Sequence, residues 1–315
     1  MTDPVADSPR VSRDPPALVF VNTAAGGRHG CVCALRIQNL FRELRFPAEF
    51  LVTKNSEELQ SNVRQAIANK CKLLLAMGGD GTFQGLANAA FGEDVVLGIL
   101  PAGGGNDFAA ALGLPGDPVI AARAVAGGQP RWVDLVRVNT ADGRSRLYVG
   151  GGGVGLDAEA ARYASGAFRR LPGRSRYIAS ALRALAGYVP IEVRIEFMEP
   201  DLGPIEAKAL LAGVLNAPTY GAGLRFAPEA QIDDGLLDVV LIEDLSTFEV
   251  LALLPRLIFS GEPRTSRVRR WRARRVRLRT RKPTLFHGDG EILGTTPVEI
   301  EVVSRAVQVL APART

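Results

Sequence analysis

The sequence is poor in cysteine, histidine and long apolar runs. Its 315 residues include three cysteines and two histidines, which are too few for a disulfide framework and argue against a zinc site. No run of about eighteen apolar residues occurs, so no transmembrane helix is predicted. The first sixteen residues contain four prolines and three aspartates but no apolar segment of signal-peptide type. We therefore expect a cytoplasmic protein in which residues 1–16 form a disordered tail.

The composition, with 47% hydrophobic and 23% charged residues, is typical of a soluble globular protein long enough for two domains. The net charge of +5 is unevenly distributed, because eleven basic residues and no acidic one lie between Arg264 and Lys282. Arg275, Arg277 and Arg279 alternate with apolar residues, which predicts a strand with one cationic face. Such a face fits a surface for anionic lipid headgroups, a solvated strand face or a nucleic-acid patch. We favour peripheral association with an anionic membrane surface and expect no nucleic acid, since no motif that reads DNA or RNA accompanies the charge.

A glycine-rich turn, Gly78-Gly79-Asp80-Gly81-Thr82, lies between an apolar run of strand length, Lys72 to Met77, and a segment with apolar residues at helical spacing, Phe83 to Phe91. Residues without Cβ let successive N–H groups point at an anion, and the start of the following helix adds the positive end of its dipole. Asp80 would repel a bare phosphate but can hold Mg²⁺ against one. The alternative is a plain turn, since glycine and aspartate are common turn formers.

A second glycine-rich turn, Pro101 to Ala109, follows the next predicted strand, Leu97 to Leu100. Strands and helices alternate from Ala17 to Ile99, which predicts a parallel sheet covered by helices. The carboxyl ends of parallel strands open at one edge of the sheet, where open α/β sheets bind ligands. The two turns together therefore favour a phosphate site over two unrelated turns.

The sequence also predicts local details. A turn of small residues should follow Asn22, and Ser56 is the expected N-cap of the second helix. The apolar residues expected roughly along one stripe of the first helix are Val32, Leu35, Leu40, Phe41 and Leu44. Gly150 to Gly153 fit either a point of close backbone approach or a tight crossing of strands. The basic and apolar loop Phe168 to Arg174 fits either a membrane contact or an ordinary mobile loop.

The two turns, GGDGT and LPAGGGNDFA, resemble the diacylglycerol kinase catalytic family, which includes sphingosine and ceramide kinases and bacterial lipid kinases. The segment from Tyr220 to Asp238 and the tripeptide Asp289-Gly290-Glu291 are similar to later motifs of the family. Each motif is weak alone. Together they cover the chain from about Val19 to Pro312 in the order of the family.

The resemblance implies an α/β fold of two domains with the active cleft between them. Residues 17–130 would form a parallel α/β nucleotide-binding domain, and residues 131–315 a β-rich, sandwich-like domain that binds lipid. The sequence leaves open whether the last strand, Val307 to Leu310, packs back onto the first domain. The implied activity is ATP-dependent phosphorylation of a hydroxyl on diacylglycerol or a related lipid at the membrane surface, and a homodimer is implied as well.

The resemblance also assigns a nucleotide site and a general base. Either Glu291 or Asp289 would take the proton from the lipid hydroxyl, and Asp80 would hold the Mg²⁺ that bridges the phosphates. The residues expected around ATP are Asn22, Thr23, Ala24, Ala25, Gly26, Thr53, Gly78, Gly79, Asp80, Gly81, Thr82, Gly85, Gly104, Asn106 and Asp107.

A separate structural Mg²⁺ is implied at a second turn. Asp234 would bind it together with the backbone carbonyls of Gln231 and Leu236, a chemically sensible set of oxygen ligands. A plain turn between strands is the alternative for this segment.

The chain departs from the family pattern at several places around the nucleotide. Thr23 replaces a proline and Ala25 a serine of the first loop, Gly85 stands where a glutamate is usual, and Gly104 where a threonine is usual. Each lost neutral hydrogen bond is worth about 0.5–1.5 kcal/mol, so we expect altered ATP affinity rather than an inactive protein. Two other functions stay open: a kinase for a soluble substrate, of the NAD kinase or phosphofructokinase type, and a nonenzymatic nucleotide or membrane sensor.

Overall fold

The computed structural model describes residues 15–168, 171, 173–221, 223–259 and 265–313, so most of the expected tail at 1–16 lies outside it. The N-terminal region contains the strands β1 (Ala17–Asn22), β2 (Ala48–Thr53), β3 (Leu73–Gly78) and β4 (Val96–Pro101). They pair in the order β2, β1, β3, β4, and every pair is parallel. β3 and β4 are buried along their whole length, as central parallel strands are. The predicted parallel α/β sheet is confirmed.

Five helices accompany these strands: α1 (Thr23–Glu43), α2 (Ser56–Ala68), α3 (Asp80–Ala90), α4 (Asp107–Ala111) and α5 (Pro118–Ala126). α1 packs against α5, and α2 packs against α3. α1 begins directly after β1, where the sequence predicted a turn of small residues. The N-cap of α2 is Asn55 rather than the predicted Ser56. Asn55 has an extended backbone, and its Oδ1 accepts the N–H of Glu58 at 2.8 Å.

The predicted apolar stripe of α1 is wrong in its first half. Val32 and Leu35 are 59% and 62% exposed, whereas Ile37, Leu40 and Phe41 are buried. The step of five residues from Leu35 to Leu40 turns an α-helix by about 500°, which places the two side chains on different faces. The residues of this part of the helix that pack against the core are Cys33 and Ala34, one turn before Ile37.

The C-terminal region is rich in strands and has three helices among its described residues. The strands are β5 (Gln129–Thr140), β6 (Ser145–Tyr148), β7 (Gly151–Gly155), β8 (Ile191–Glu199), β9 (Ile205–Leu215), β10 (Leu237–Glu243), β11 (Val268–Ala273), β12 (Arg275–Thr280), β13 (Leu285–Gly288), β14 (Glu291–Thr295) and β15 (Val298–Ala311). The helices are α6 (Leu156–Ser165), α7 (Gly173–Ala186) and α8 (Thr247–Phe259).

One hydrogen-bonded sheet runs through both regions, in the order β14, β13, β7, β9, β8, β12, β15, β4, β3, β1, β2. The long strand β15 joins them, because it pairs antiparallel with β5 and β12 and parallel with β4, through Gln308 and Val309. A separate apolar core fills each region, and a third lies beside β9 and β10. The last strand of the chain thus completes the sheet of the N-terminal region.

The predicted cationic strand is β12, and its charges are paired. β12 lies between β8 and β15. Arg275 contacts Glu299, and Arg277 bonds Glu299 at 2.9 Å and lies 3.7 Å from Glu196. Arg279 lies 3.4 Å from Glu196. Neighbouring strands carry glutamates opposite these arginines, so the strand presents a paired, solvated face instead of the free cationic surface that we favoured.

Candidate active site

The two glycine-rich turns lie against each other at the carboxyl ends of β3 and β4. A Cβ added to Gly103 would stand 2.4 Å from Cα of Gly79, so the two backbones are in contact. Asn106, in the left-handed region with φ 61°, closes the second turn by accepting the N–H of Gly103 at 3.0 Å and donating to its carbonyl at 3.1 Å. The predicted meeting of the turns at one sheet edge is therefore observed.

Asp80 joins the first turn to the second. Its two carboxylate oxygens accept the backbone N–H groups of Asp107 and Phe108, at 3.1 and 3.0 Å, where α4 begins. Burial raises the pKa of Asp80 to about 6, the negative charge of Asp107 adds to this effect, and the N–H bonds oppose it. Each oxygen accepts one N–H in these bonds and has a second lone pair. The donor set fits the predicted metal, because Mg²⁺ is usually held by one or two carboxylates together with substrate phosphates.

The side chains around the first turn hold it to the neighbouring strands. Thr82 accepts a hydrogen bond from Nδ2 of Asn22 at 2.9 Å, which links α3 to the end of β1. A Cβ on Gly78 would stand 2.3 Å from Oγ1 of Thr82, so this position requires glycine for close packing. Thr53 is buried and donates to the carbonyl of Val21 at 3.4 Å. Asn22 thus bonds the first glycine-rich turn through Thr82, and Thr53 bonds the end of β1.

The tripeptide Asp289-Gly290-Glu291 forms the hairpin between β13 and β14. Asp289 and Gly290 have φ 50° and 84°, the positive pair typical of a two-residue hairpin turn. The Asp289 carboxylate accepts three backbone N–H groups, from Val149 at 2.7 Å, Gly150 at 2.9 Å and Gly151 at 3.2 Å. Burial nevertheless raises the pKa of Asp289 to about 7, assisted by the charge of Asp80. This carboxylate is fixed in place and titrates near neutrality.

Glu291 reaches the start of α3 from the other region. Its Oε1 lies 3.4 Å from the position that a Cβ of Gly81 would occupy. Burial of the carboxyl raises the pKa of Glu291, and Arg146 opposes the shift. The hairpin of the C-terminal region therefore meets the glycine-rich turn of the N-terminal region.

A cleft of about 310 Å³ lies between these elements. Several predicted residues line it, namely Asn22, Thr53, Gly79, Asp80, Gly81, Thr82, Gly104, Asp289 and Glu291. Gly85 does not line it, because its Cα faces α2, with a Cβ position 3.0 Å from Leu59. Asn106 and Asp107 support the turns from behind, and Asp107 also accepts the N–H of Gly223 at 2.9 Å. α1 begins at Thr23, and the predicted contacts of Thr23, Ala24, Ala25 and Gly26 with ATP stay predictions.

The sequence reading missed other residues that line the cleft. Lys54, Asn55 and Ser56 follow the predicted Thr53, and Arg176 and Tyr177 enter from α7. Nε of Arg176 is buried without a hydrogen-bond partner, and the residue lines the cleft. The arginines just before Arg176 in the sequence were a signal for an anion site, which the sequence analysis interpreted as a membrane contact or a mobile loop.

The predicted structural metal turn is ordered by hydrogen bonds of its own. Asp234 accepts the N–H of Leu236 at 3.0 Å, Gly235 donates to the buried Asp134 at 2.7 Å, and Asp233 pairs with Arg131 at 2.8 Å. Among the described residues no group of three or more His, Cys, Asp or Glu side chains could hold a metal. A site built from one carboxylate and the carbonyls of Gln231 and Leu236 is of another kind, and it stays a prediction.

Comparison with known proteins agrees with the motifs and the fold. The diacylglycerol kinase catalytic domain matches residues 16–138, and the YegS C-terminal NAD kinase beta sandwich-like domain matches residues 151–311. A "Diacylglycerol kinase" of Mycobacterium tuberculosis is 30% identical over 263 residues, which cover 83% of this chain and 84% of that protein. A "Probable lipid kinase YegS-like" of Stenotrophomonas maltophilia is 30% identical over 277 residues, with 84% and 87% covered.

A solved structure described as a putative diacylglycerol kinase from Bacillus anthracis superimposes with a TM-score of 0.75 at 22% identity, over 94% of this chain and 97% of that one. The predicted α/β fold with a sandwich-like second part is thereby confirmed. Within the part of the chain that the structure describes, no helix has the length and apolar character needed to cross a membrane. The chain belongs to the diacylglycerol kinase catalytic family.

Proposed function

We propose that this protein is an ATP- and Mg²⁺-dependent lipid kinase that phosphorylates a hydroxyl of diacylglycerol or a related lipid. The observation that carries the proposal is the meeting, in one cleft, of two glycine-rich turns with a carboxylate pair from the other region. The names of the relatives from Mycobacterium and Stenotrophomonas support a lipid as the acceptor. Phosphoryl transfer depends mainly on positioning and charge stabilisation, and the cleft contains groups for both.

The backbone N–H groups of the two turns and the start of α3 would hold the triphosphate. Gly79 and Gly103 lie in contact, so their turns present a shared concave surface to an anion. Arg176 would add a charged donor from α7, because its Nε is buried and unpaired. This cation would offset the missing hydroxyls at Ala25 and Gly104.

Asp80 would hold Mg²⁺ together with phosphate oxygens and water. A bound Mg²⁺ would neutralise charge on the phosphates. Asp80 is already oriented for this task by the N–H groups of Asp107 and Phe108.

Asp289 would be the general base. In the reaction the lipid hydroxyl oxygen bonds to the γ-phosphorus, the bond from that phosphorus to the β–γ bridging oxygen breaks, and ADP leaves. The hydroxyl proton passes to Asp289. A base works best when its pKa lies near the working pH, and the pKa of Asp289 is raised to about 7. Glu291 would border the acceptor site beside Gly81.

The lipid acceptor places the reaction at a membrane surface, and we propose a cytoplasmic protein that associates with membranes peripherally. The paired arginines of β12 do not contribute free charge to this association. A homodimer is part of the same proposal, by similarity to the family alone. Sedimentation with anionic vesicles and analytical ultracentrifugation test the two statements.

The central experiment incubates purified protein with ATP, Mg²⁺ and mixed micelles that contain diacylglycerol, a sphingoid base, ceramide or phosphatidylglycerol. We expect one phosphorylated lipid, and we expect Asp80→Asn to abolish its formation. Asp94→Asn is the matched control, because Asp94 is an exposed aspartate of the same region that pairs with Lys72. Absence of every lipid product would refute the proposal. Activity on NAD or a sugar phosphate would indicate a soluble-substrate kinase, and tight ATP binding without turnover would indicate a sensor.

A further inference from the structure

Two amide side chains on α3, those of Gln84 and Asn88, form hydrogen bonds with the backbone of Leu147 in the C-terminal region. Asn88 accepts the N–H of Leu147 at 3.0 Å and donates to its carbonyl at 2.8 Å. Gln84 donates to the same carbonyl at 3.1 Å. Leu147 belongs to β6, which pairs with β5 alone among the described strands. The Asn88 amide therefore bonds the open edge of β6 as a neighbouring peptide group would.

This contact is connected to both carboxylates of the site by short stretches of chain. α3 begins at Asp80, and Gln84 and Asn88 are one and two turns further along the same helix, on one face. On the other side, Val149 follows Leu147 by two residues and donates to the Asp289 carboxylate, as do Gly150 and Gly151. The helix that carries Asp80 is thus bonded to the chain segment that holds Asp289.

We propose that Gln84 and Asn88 are positioning residues that set the distance between the nucleotide turn and the general base, a role that rests on the proposed function. Asp80 and Asp289 belong to different regions of the chain. In-line transfer needs the phosphate and the base held in a fixed relation. Asn88 contacts neither carboxylate and acts through the backbone of Leu147, Val149 and Gly150.

The test compares Asn88→Ala with Ala89→Gly by hydrogen exchange on the ligand-free protein. Asn88→Ala removes three hydrogen bonds, two of them to Leu147. We expect the amides of residues 149–151 to exchange at least about tenfold faster, since each bond contributes to holding this segment. Ala89→Gly weakens the same helix through its propensity but removes no side-chain hydrogen bond, and it should leave these amides protected. Equal loss of protection in both variants, or none in Asn88→Ala, would overturn the proposal.

The second measurement compares the effect of Asn88→Ala on kcat with its effect on the KM for ATP. Asn88→Ala should lower kcat by about tenfold or more while the KM for ATP changes by less than about threefold, because the turn that would bind phosphate is untouched. Faster exchange without any fall in kcat would show that the contact is only structural. Gln84→Leu, which removes the single bond to Leu147, should give a smaller effect in the same direction and serves if Asn88→Ala does not fold. If the wild-type protein phosphorylates no lipid, the proposed function fails. Hydrogen exchange still decides whether the bonds of Gln84 and Asn88 to Leu147 hold residues 149–151 in place.

Discussion

The pH dependence of turnover tests the assignment of Asp289 as the base. A base must be ionised to accept a proton, and the pKa of this carboxyl is raised to about 7. With this value, most of it is ionised at about pH 8 and about one-eleventh at about pH 6, so kcat should fall by up to about tenfold between these values. Mg²⁺ held by Asp80 would offset the charge that assists the shift and would move the fall to lower pH. The direction is fixed: activity rises with pH and reaches a plateau above about pH 8. Saturating Mg²⁺ and ATP keep the other steps constant.

Substitutions distinguish whether Asp289 or Glu291 is the general base. Asparagine at position 289 tolerates the positive φ but cannot act as the base. Asp289→Asn should therefore lower kcat by about 10²–10⁴-fold and abolish the fall of kcat at low pH. Glu291→Gln should keep the fall of kcat below about pH 7, whatever its effect on the maximal rate. The measurement is a single-turnover rate across pH for the wild type and both variants. A fall at low pH that disappears in Glu291→Gln and survives in Asp289→Asn would refute the assignment.

Three further predictions concern the turns and the buried carboxyls. Gly103→Ala should abolish ATP binding measured by calorimetry, because its Cβ would stand 2.4 Å from Cα of Gly79; unchanged affinity would contradict the contact between the turns. Gly104→Thr, which restores the usual hydroxyl of the family, should tighten ATP binding by up to about tenfold, and a weaker complex would contradict the phosphate placement. In the ligand-free protein, burial raises the pKa of Asp80 to about 6 and that of Asp289 to about 7, so the folded state keeps protons that the unfolded chain has released. The free energy of unfolding should therefore fall from about pH 4 to about pH 6 for Asp80 and to about pH 7 for Asp289, by at most about 1.4 kcal/mol per pH unit for each group, and then level off. Urea titrations of the wild type and of Asp289→Asn, which should show a shallower slope, check this, and a rise over the same range would contradict it.

The N-terminal sheet could be predicted because its signals are local. β3 and β4 are short apolar runs, each followed by a glycine-rich turn, and α2 has apolar residues at helical spacing. The same local reading failed in α1, where Val32 and Leu35 are exposed. There the spacing was consistent with a helix, but the face that meets the sheet is set by tertiary packing.

The charge of β12 could not be read from its own residues. Arg277 meets Glu196 on one neighbouring strand and Glu299 on the other, and a count of basic residues along the chain sees neither partner. Strand pairing over such separations depends on the register of the whole sheet. The cationic face was therefore visible in the sequence, whereas its neutralisation was not.

The glycine run Gly150 to Gly153 shows how one local signal can serve two structural needs. The sequence permitted either a backbone approach point or a tight crossing of strands. A Cβ on Gly150 would stand 3.3 Å from Oδ1 of Asp289, and one on Gly152 would stand 2.4 Å from the carbonyl of His287. The first glycine admits the carboxylate to backbone N–H groups, and the second lets β13 pair closely with β7.

Two of the three N–H groups that hold the Asp289 carboxylate belong to Gly150 and Gly151, which have no side chain to keep the main chain in place, and the third belongs to the buried Val149. Such a segment gains conformational freedom readily, so its position must be fixed from outside. One such contact is made by Asn88 of α3, which binds the backbone of Leu147, three residues before Gly150. The glycines let the Asp289 carboxylate reach backbone N–H groups, and the Asn88 amide bonds the strand just before them to the helix that begins at Asp80.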